Sequence, residues 1–440
     1  MASRGVALLF TLLLAQAALA ENWPQWRGPG SSAISAETDL PIEWSADQNI
    51  AWQTDLAGFG VSSPVTWGDY VFVTSQVGAT PIRGGSFPNL ARAEPSLASL
   101  ENAIRSEDLG GRVFFVVEAF RQSDGTRAWE FRARATGSYP PLHEKHNLAT
   151  PTPVVDGERV YAWFGNGQVF ALNFDGELLW KRHLGEERQP WTNDWGHGSS
   201  PTLYDGKLIL MVDHRDEAYI VAFNAETGEQ EWFIDRGSDR VSHSTPVIVP
   251  HEGGDEMIVV SSRRVDAFNP LNGQPLWHLG TERQTPIPSP VHHGGLLYLV
   301  RGYRNSDFYA IKPGGRGDIA GTEHILWHAP RGASYAASML HYDGLVYVTN
   351  DVGVVMCSDA KTGERVWQHR LGGIFFASPV AADGNIYIAS ETGETYVLKA
   401  GREPVVIATN DIGERLVASP AISNGKIFLR SDGKLFAVAD

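Results

Sequence analysis

The sequence predicts an all-β fold, an eight-bladed β-propeller with four-stranded blades, and three observations carry that expectation. A Ser/Thr-Pro dipeptide recurs with a period of about 45 residues, each time ahead of a short apolar run. Most copies continue as strand, tight turn and strand, then as a second pattern that ends in Trp. The last copy stops after three strands, and the strand it lacks lies near the start of the chain.

In chain order, Arg4 gives a weakly basic start, Val6 to Leu14 is almost wholly apolar, and Ala18-Leu19-Ala20 forms a small-x-small site. Residues 1–20 therefore read as a secretory signal peptide with Glu21 as the mature start. The apolar run is shorter than the roughly 20 residues a membrane-spanning helix needs. No cysteine lies near the cleavage site, and no later segment is apolar enough to span. An exported protein, periplasmic or secreted and soluble after cleavage, is expected. Residues 21–48 are assigned to an N-terminal cap segment and 49–440 to the propeller.

The dipeptides are Ser63-Pro64, Thr152-Pro153, Ser200-Pro201, Thr245-Pro246, Ser289-Pro290, Ser378-Pro379 and Ser419-Pro420, with Ser338-Met339 as a degenerate copy. Asp156-Gly157, Asp205-Gly206, Asp343-Gly344, Asp383-Gly384 and Asn424-Gly425 supply the positive φ of two-residue hairpins. The second half reads small residue, apolar, Asn/Asp, then Gly, then Trp, as in Ala171…Gly176…Trp180 and Ala222…Gly228…Trp232. The small residue suits the narrow part of a wedge-shaped sheet, and the Trp lets neighbouring sheets pack face to face. Cys357, the one cysteine, fills the small-residue slot and so reads as core, with no intramolecular disulfide possible. Asn49 to Trp52 is the strand missing after Phe436-Ala437-Val438, which closes the ring without an exposed edge. The unit beginning at Ser378 has Val405-Val406-Ile407 where the others have Trp.

A net charge of −15 and the lack of any Lys/Arg stripe exclude a nucleic-acid face. No G-x-S-x-G elbow, Walker loop, H-E-x-x-H or dinucleotide fingerprint occurs.

Chain direction places the loops entering each first strand, and those joining second to third strands, on one face. That face is elaborated. An insertion at 76–112, with a short helix expected at 96–106, interrupts the first blade. The connections 133–149, 185–198 and 301–304 open on the same side, as does Asp213-His214-Arg215-Asp216, which reads as a solvated turn. The opposite face is mostly tight turns, apart from a Gly-rich loop from Pro313 to Glu323 expected to be flexible. His146, His197, His243, Arg301, Arg304, Tyr335, Phe375 and Phe376 should surround the funnel mouth. They read either as a ligand, partner or metal site or as a solvated rim packed on the insertion. His143-x-x-His146 has metal-ligand spacing for a helix but no evident third ligand, and no metal is expected.

The pattern Ala-x-Asn/Asp…Thr-Gly…Trp resembles the tryptophan-docking repeat of pyrroloquinoline-quinone (PQQ)-like propellers, over essentially all of the mature chain. Trp23-Pro24-Gln25-Trp26-Arg27-Gly28 and Ala418-Ser419-Pro420-Ala421-Ile422 are similar to segments of exported bacterial PQQ-like proteins. The resemblance extends to BamB-like scaffolds of outer-membrane protein assembly and to quinoprotein alcohol dehydrogenases. It implies a non-catalytic, monomeric binding protein without cofactor, engaging a protein or cell-envelope partner through the loop-rich face. The alternative it implies is a dehydrogenase using PQQ and calcium at the funnel mouth. The single cysteine cannot supply the adjacent cysteine pair of the methanol-dehydrogenase type, and the absent lipobox cysteine departs from BamB.

Overall fold

The computed structural model describes residues 21–78, 113–140, 142–143, 145–188, 195–280, 285–301, 307–330 and 334–440. The expected signal peptide, the helix expected at 96–106 and Arg304 lie outside the described residues. Among the described residues the strands form eight antiparallel blades. In order, the first strands of the blades are Val65–Trp67, Val154–Val155, Thr202–Tyr204, Val247–Val249, Val291–His293, Leu340–Tyr342, Val380–Ala382 and Ala421–Ser423. The eighth blade takes Ile50–Asp55 as its outer strand beside Lys434–Val438, so the ends of the chain share one sheet as the sequence requires. No helix among the described residues is long and apolar enough to cross a membrane.

Two rings of contacts hold the blades together, and each explains half of the repeat. Proline cannot donate, so at each inner dipeptide the backbone N–H of the Ser/Thr is the donor at hand. It bonds the hydroxyl of the same position one blade on: Ser63 to Thr152, Thr152 to Ser200, Ser200 to Thr245 and Thr245 to Ser289, each at 3.0 Å. Ser289 to Ser338, Ser338 to Ser378 and Ser378 to Ser419 continue the ring at 2.8–2.9 Å. Ser338 thus keeps its role although its proline is lost.

The outer ring is made by tryptophans. The indole N–H of Trp52 donates to the Gln122 carbonyl of the next blade at 2.9 Å, and Trp129, Trp180, Trp327 and Trp367 donate likewise at 2.7–3.0 Å. The rings of Trp52, Trp129, Trp180 and Trp327 lie against the glycines of the neighbouring turns, Gly125, Gly176, Gly228 and Gly363. Gly125 has φ +71°, and a Cβ there would sit 2.5 Å from Trp52. Glycine is required twice over, by conformation and by space.

Two exceptions are informative. The 313–323 loop, expected to be flexible, folds back instead on blade four. Gly317–Asp318 pairs in parallel with Trp277 and His278 as a fifth strand, and Ile319 is buried. Here the Trp277 indole donates to the buried Glu256 carboxylate at 2.8 Å, which also accepts from the Gly314 N–H at 3.1 Å. The loop takes the place of the usual Thr-Gly turn. In blade seven, which lacks its own tryptophan, Trp44 of the N-terminal segment stacks 6.4 Å from Tyr387. That matches Trp367 with Tyr347 at 5.9 Å and Trp327 with Tyr298 at 6.2 Å. The Trp44 backbone N–H donates to Asn410 Oδ1, fixing it on the outer strand.

The rest of the N-terminal segment plugs the ring on the tight-turn face. Trp23 and Thr66 exchange bonds in blade one, Pro24 accepts from Val155 in blade two, and Arg27 reaches Met339 in blade six. Ala33 and Ser35 bracket Ala381 of blade seven, and Glu37 caps Asn424 and Gly425 of blade eight. Trp23 is fully buried.

Candidate functional site

With one side plugged, the axial space becomes a cup of about 860 Å³ open to the loop-rich face. That lies within the roughly 300–1,000 Å³ range of ligand clefts. Trp26 is among its lining, and the Trp26 indole N–H donates to Ser289 Oγ at 3.2 Å, holding the ring against the inner hydroxyls. Thr152, Ser200, Thr245, Ser289, Ser378 and Ser419 form the wall; His143, His146, Trp195, His243, Tyr335 and Phe376 are also part of the lining. In the inner ring each lining hydroxyl oxygen accepts a backbone N–H, which leaves its own O–H free to donate.

Four sequence-predicted residues, His146, His243, Tyr335 and Phe376, meet at this cup. His197 does not: it is fully buried behind the lining, its ring 4.1 Å from Trp163 and 6.1 Å from His214. Phe375 turns away into the apolar core beside Tyr396, because neighbouring residues of an extended segment face opposite sides. Arg301 is buried and its guanidinium pairs with Asp307 at 3.4 Å. Asp213 and His214 are buried rather than solvated. Asp213 ends a strand and accepts from the buried Arg236, which also bonds Asp266 at 3.3 Å; only Arg215 and Asp216 of that turn are exposed.

Burial sets the electrostatics. It lowers the pKa of His146 to about 4 and those of His214 and His243 to about 3, with neighbouring histidines adding to the depression of His146 and His243. His197 is likewise pushed well below the ordinary imidazole value. All four are neutral near pH 7. The His146 Nε2–H donates to the Trp195 carbonyl at 2.5 Å. The His143 and His146 rings lie stacked 6.5 Å apart, and no set of three His, Cys, Asp or Glu among the described residues could hold a metal.

Sequence reasoning missed Trp26, Lys145 and Asp351. Lys145 Nζ lies 2.7 Å from Glu391 and 5.0 Å from the centre of the Phe376 ring. Glu391 also accepts from Arg415 at 2.7 Å, and Arg415 pairs with Asp432 at 2.9 Å. This chain of charges ties the loop ahead of blade two to blades seven and eight, across the closure. Nothing local in the sequence marks Lys145. The Trp-Pro-Gln-Trp segment upstream of the first blade was a visible signal, since its aromatics have no place in the repeat.

The profile of a family described as "Outer membrane protein assembly factor BamB" matches residues 113–369 and 353–440. BamB of Bordetella pertussis is 24% identical over 65% of this chain and 74% of its own length. BamB of Moranella endobia is 27% identical over 42% of this chain, and the matched stretch spans only 46% of that relative. Among solved structures, BamB from Moraxella catarrhalis superposes with a TM-score of 0.57 at 13% identity, covering 88% of this chain and 98% of that one. A europium-containing methanol dehydrogenase superposes at 0.66 with 11% identity, covering 96% and 98%, a likeness of fold alone. The chain belongs to the BamB family of propellers.

Proposed function

We propose that this member of the BamB family is an exported, non-catalytic binding scaffold that receives a segment of a protein or cell-envelope partner in the cup of its loop-rich face. The observation that carries the reading is the cup itself, blind at Trp26, walled by hydroxyl donors and flanked by Tyr335, Phe376 and Trp195. Aromatic surface supplies area and neutral donors supply orientation, the usual division of labour in a recognition cleft. A general acid–base residue works best with a pKa near the operating pH. His146 and His243 are held far below it, and Lys145 is committed to Glu391. Export follows from the signal-peptide reading of residues 1–20.

Two features support a reading without quinone and calcium. Cys357 is buried in the sheet of blade six, and no acidic cluster among the described residues could ligate a cation.

The test is selection of peptides from a random library on the purified protein, repeated with Tyr335→Ala and Phe376→Ala. Selected peptides should bind the variants at least about tenfold more weakly, as expected for loss of an aromatic anchor. Equal binding would overturn the assignment. Bound quinone absorbance and dye reduction with alcohols, after incubation with PQQ and calcium, would establish the dehydrogenase instead.

A further inference from the structure

Arg27 is a charge inside the ring with nothing to balance it. It is 2% exposed and lies in the plug next to Trp26. Its Nη2 donates to the Met339 carbonyl at 2.6 Å, while Nε and Nη1 are buried without a partner. Burial alone lowers its pKa, to about 9, with no carboxylate contributing. The other deeply buried arginines are treated differently. Arg236 meets Asp213 and Asp266, Arg301 meets Asp307, and Arg430 bonds Ser62 and Ser75 with the charges of Glu118 and Asp432 nearby.

Its position is set by the chain around it. Met339 follows Ser338 of the inner ring directly, so the guanidinium lies against that ring on the plugged side. Arg27 has φ +63°, unfavourable for a residue with a Cβ, and Gly28 packs so tightly on Trp23 that a Cβ there would lie 2.5 Å from the indole. The Trp23 indole N–H is also buried without a partner. A buried arginine held in a strained conformation, with N–H donors unpartnered and no carboxylate beside it, calls for an acceptor from outside the chain.

We propose that Arg27 binds a small monovalent inorganic anion, of the size of chloride or bromide, on the plugged side of the inner ring. Nη1 keeps its N–H donors and can give them to a single anion, whereas Nε–H points along the other edge of the planar guanidinium. One negative charge neutralises the site. Near-complete burial of Arg27 excludes a bulky organic acid. The cup reading does not depend on this site, which is reached from the other side of Trp26.

The experiment compares wild type with Arg27→Met in chloride-free gluconate buffer, adding sodium bromide at constant ionic strength. Wild type should gain roughly 3–6 °C in Tm when bromide exceeds its Kd about a hundredfold, and Arg27→Met should not respond. Crystals of wild type grown in bromide should show an anomalous peak within hydrogen-bond reach of Nη1. An identical halide response in both proteins, or water alone beside Arg27, overturns the proposal. Should Arg27→Met fail to fold, the wild-type anomalous map decides.

Discussion

The two faces of the ring are built by different means. On the tight-turn face the chain spends two residues per hairpin and then lays its N-terminal segment across the opening, joined by backbone bonds to blade after blade. On the other face several of the connections between blades are longer, and most of the lining of the cup comes from segments just ahead of the first strands. One face closes the ring and the other leaves it open. Substitutions on the plugged side should therefore cost stability, and substitutions on the cup should cost binding.

The largest effect is expected at Trp23. Removing a fully buried indole from the plug should cost about 3–5 kcal/mol of unfolding free energy, read by urea denaturation. A loss below about 1 kcal/mol would show that the plug is not part of the folded core. Trp44→Ala should cost about 3 kcal/mol, like truncation of a docking tryptophan, whereas Trp44→Phe should retain much of the stability. If both variants behave alike, Trp44 does not stand in for the tryptophan that blade seven lacks.

Acid should act on the open face. Above pH 6.5 His146, His197, His214 and His243 are neutral in the folded and unfolded chains alike, so they contribute nothing to pH dependence. Below it the unfolded chain takes up protons with a pKa of about 6.5, while the folded chain holds out until about 4 for His146 and about 3 for His214 and His243. Stability is thus lost as pH falls through that window, by up to about 2 kcal/mol per histidine at pH 5. His243→Gln should remove about that much of the difference between denaturation at pH 7 and at pH 5. A pH dependence identical to wild type would contradict the burial of a neutral His243.

How far the sequence discloses this molecule depends on whether a residue repeats. The eight dipeptides and the split last blade reveal the ring because each is copied or completed elsewhere in the chain. The role of the dipeptide is less visible, since only the structure shows Ser63 donating to Thr152 and so on around the axis. Residues without a copy are harder. Lys145 finds Glu391 across 246 positions, and Trp26 finds Ser289 across 263. Two expectations went astray for local reasons. Asp213 and His214 look like a solvated turn but end a buried strand, and the 313–323 loop looks unattached because its parallel pairing with Trp277 has no periodic signature. Phe375 and Phe376 fit the pattern equally well, and strand alternation sends only one to the cup.

The smallest effect on stability, and the largest on recognition, is expected at the cup. Tyr335→Ala and Phe376→Ala should unfold within about 1 kcal/mol of wild type, since both are only partly buried. The most direct measurement places a photo-crosslinking residue at Tyr335, and separately at the exposed Asp205 turn of the plugged face, in the protein expressed in its own envelope. The account requires discrete partner adducts from position 335 that Phe376→Ala abolishes, and none from position 205. Adducts from 205 alone, or equally from both faces, would contradict the claim that recognition belongs to the open cup.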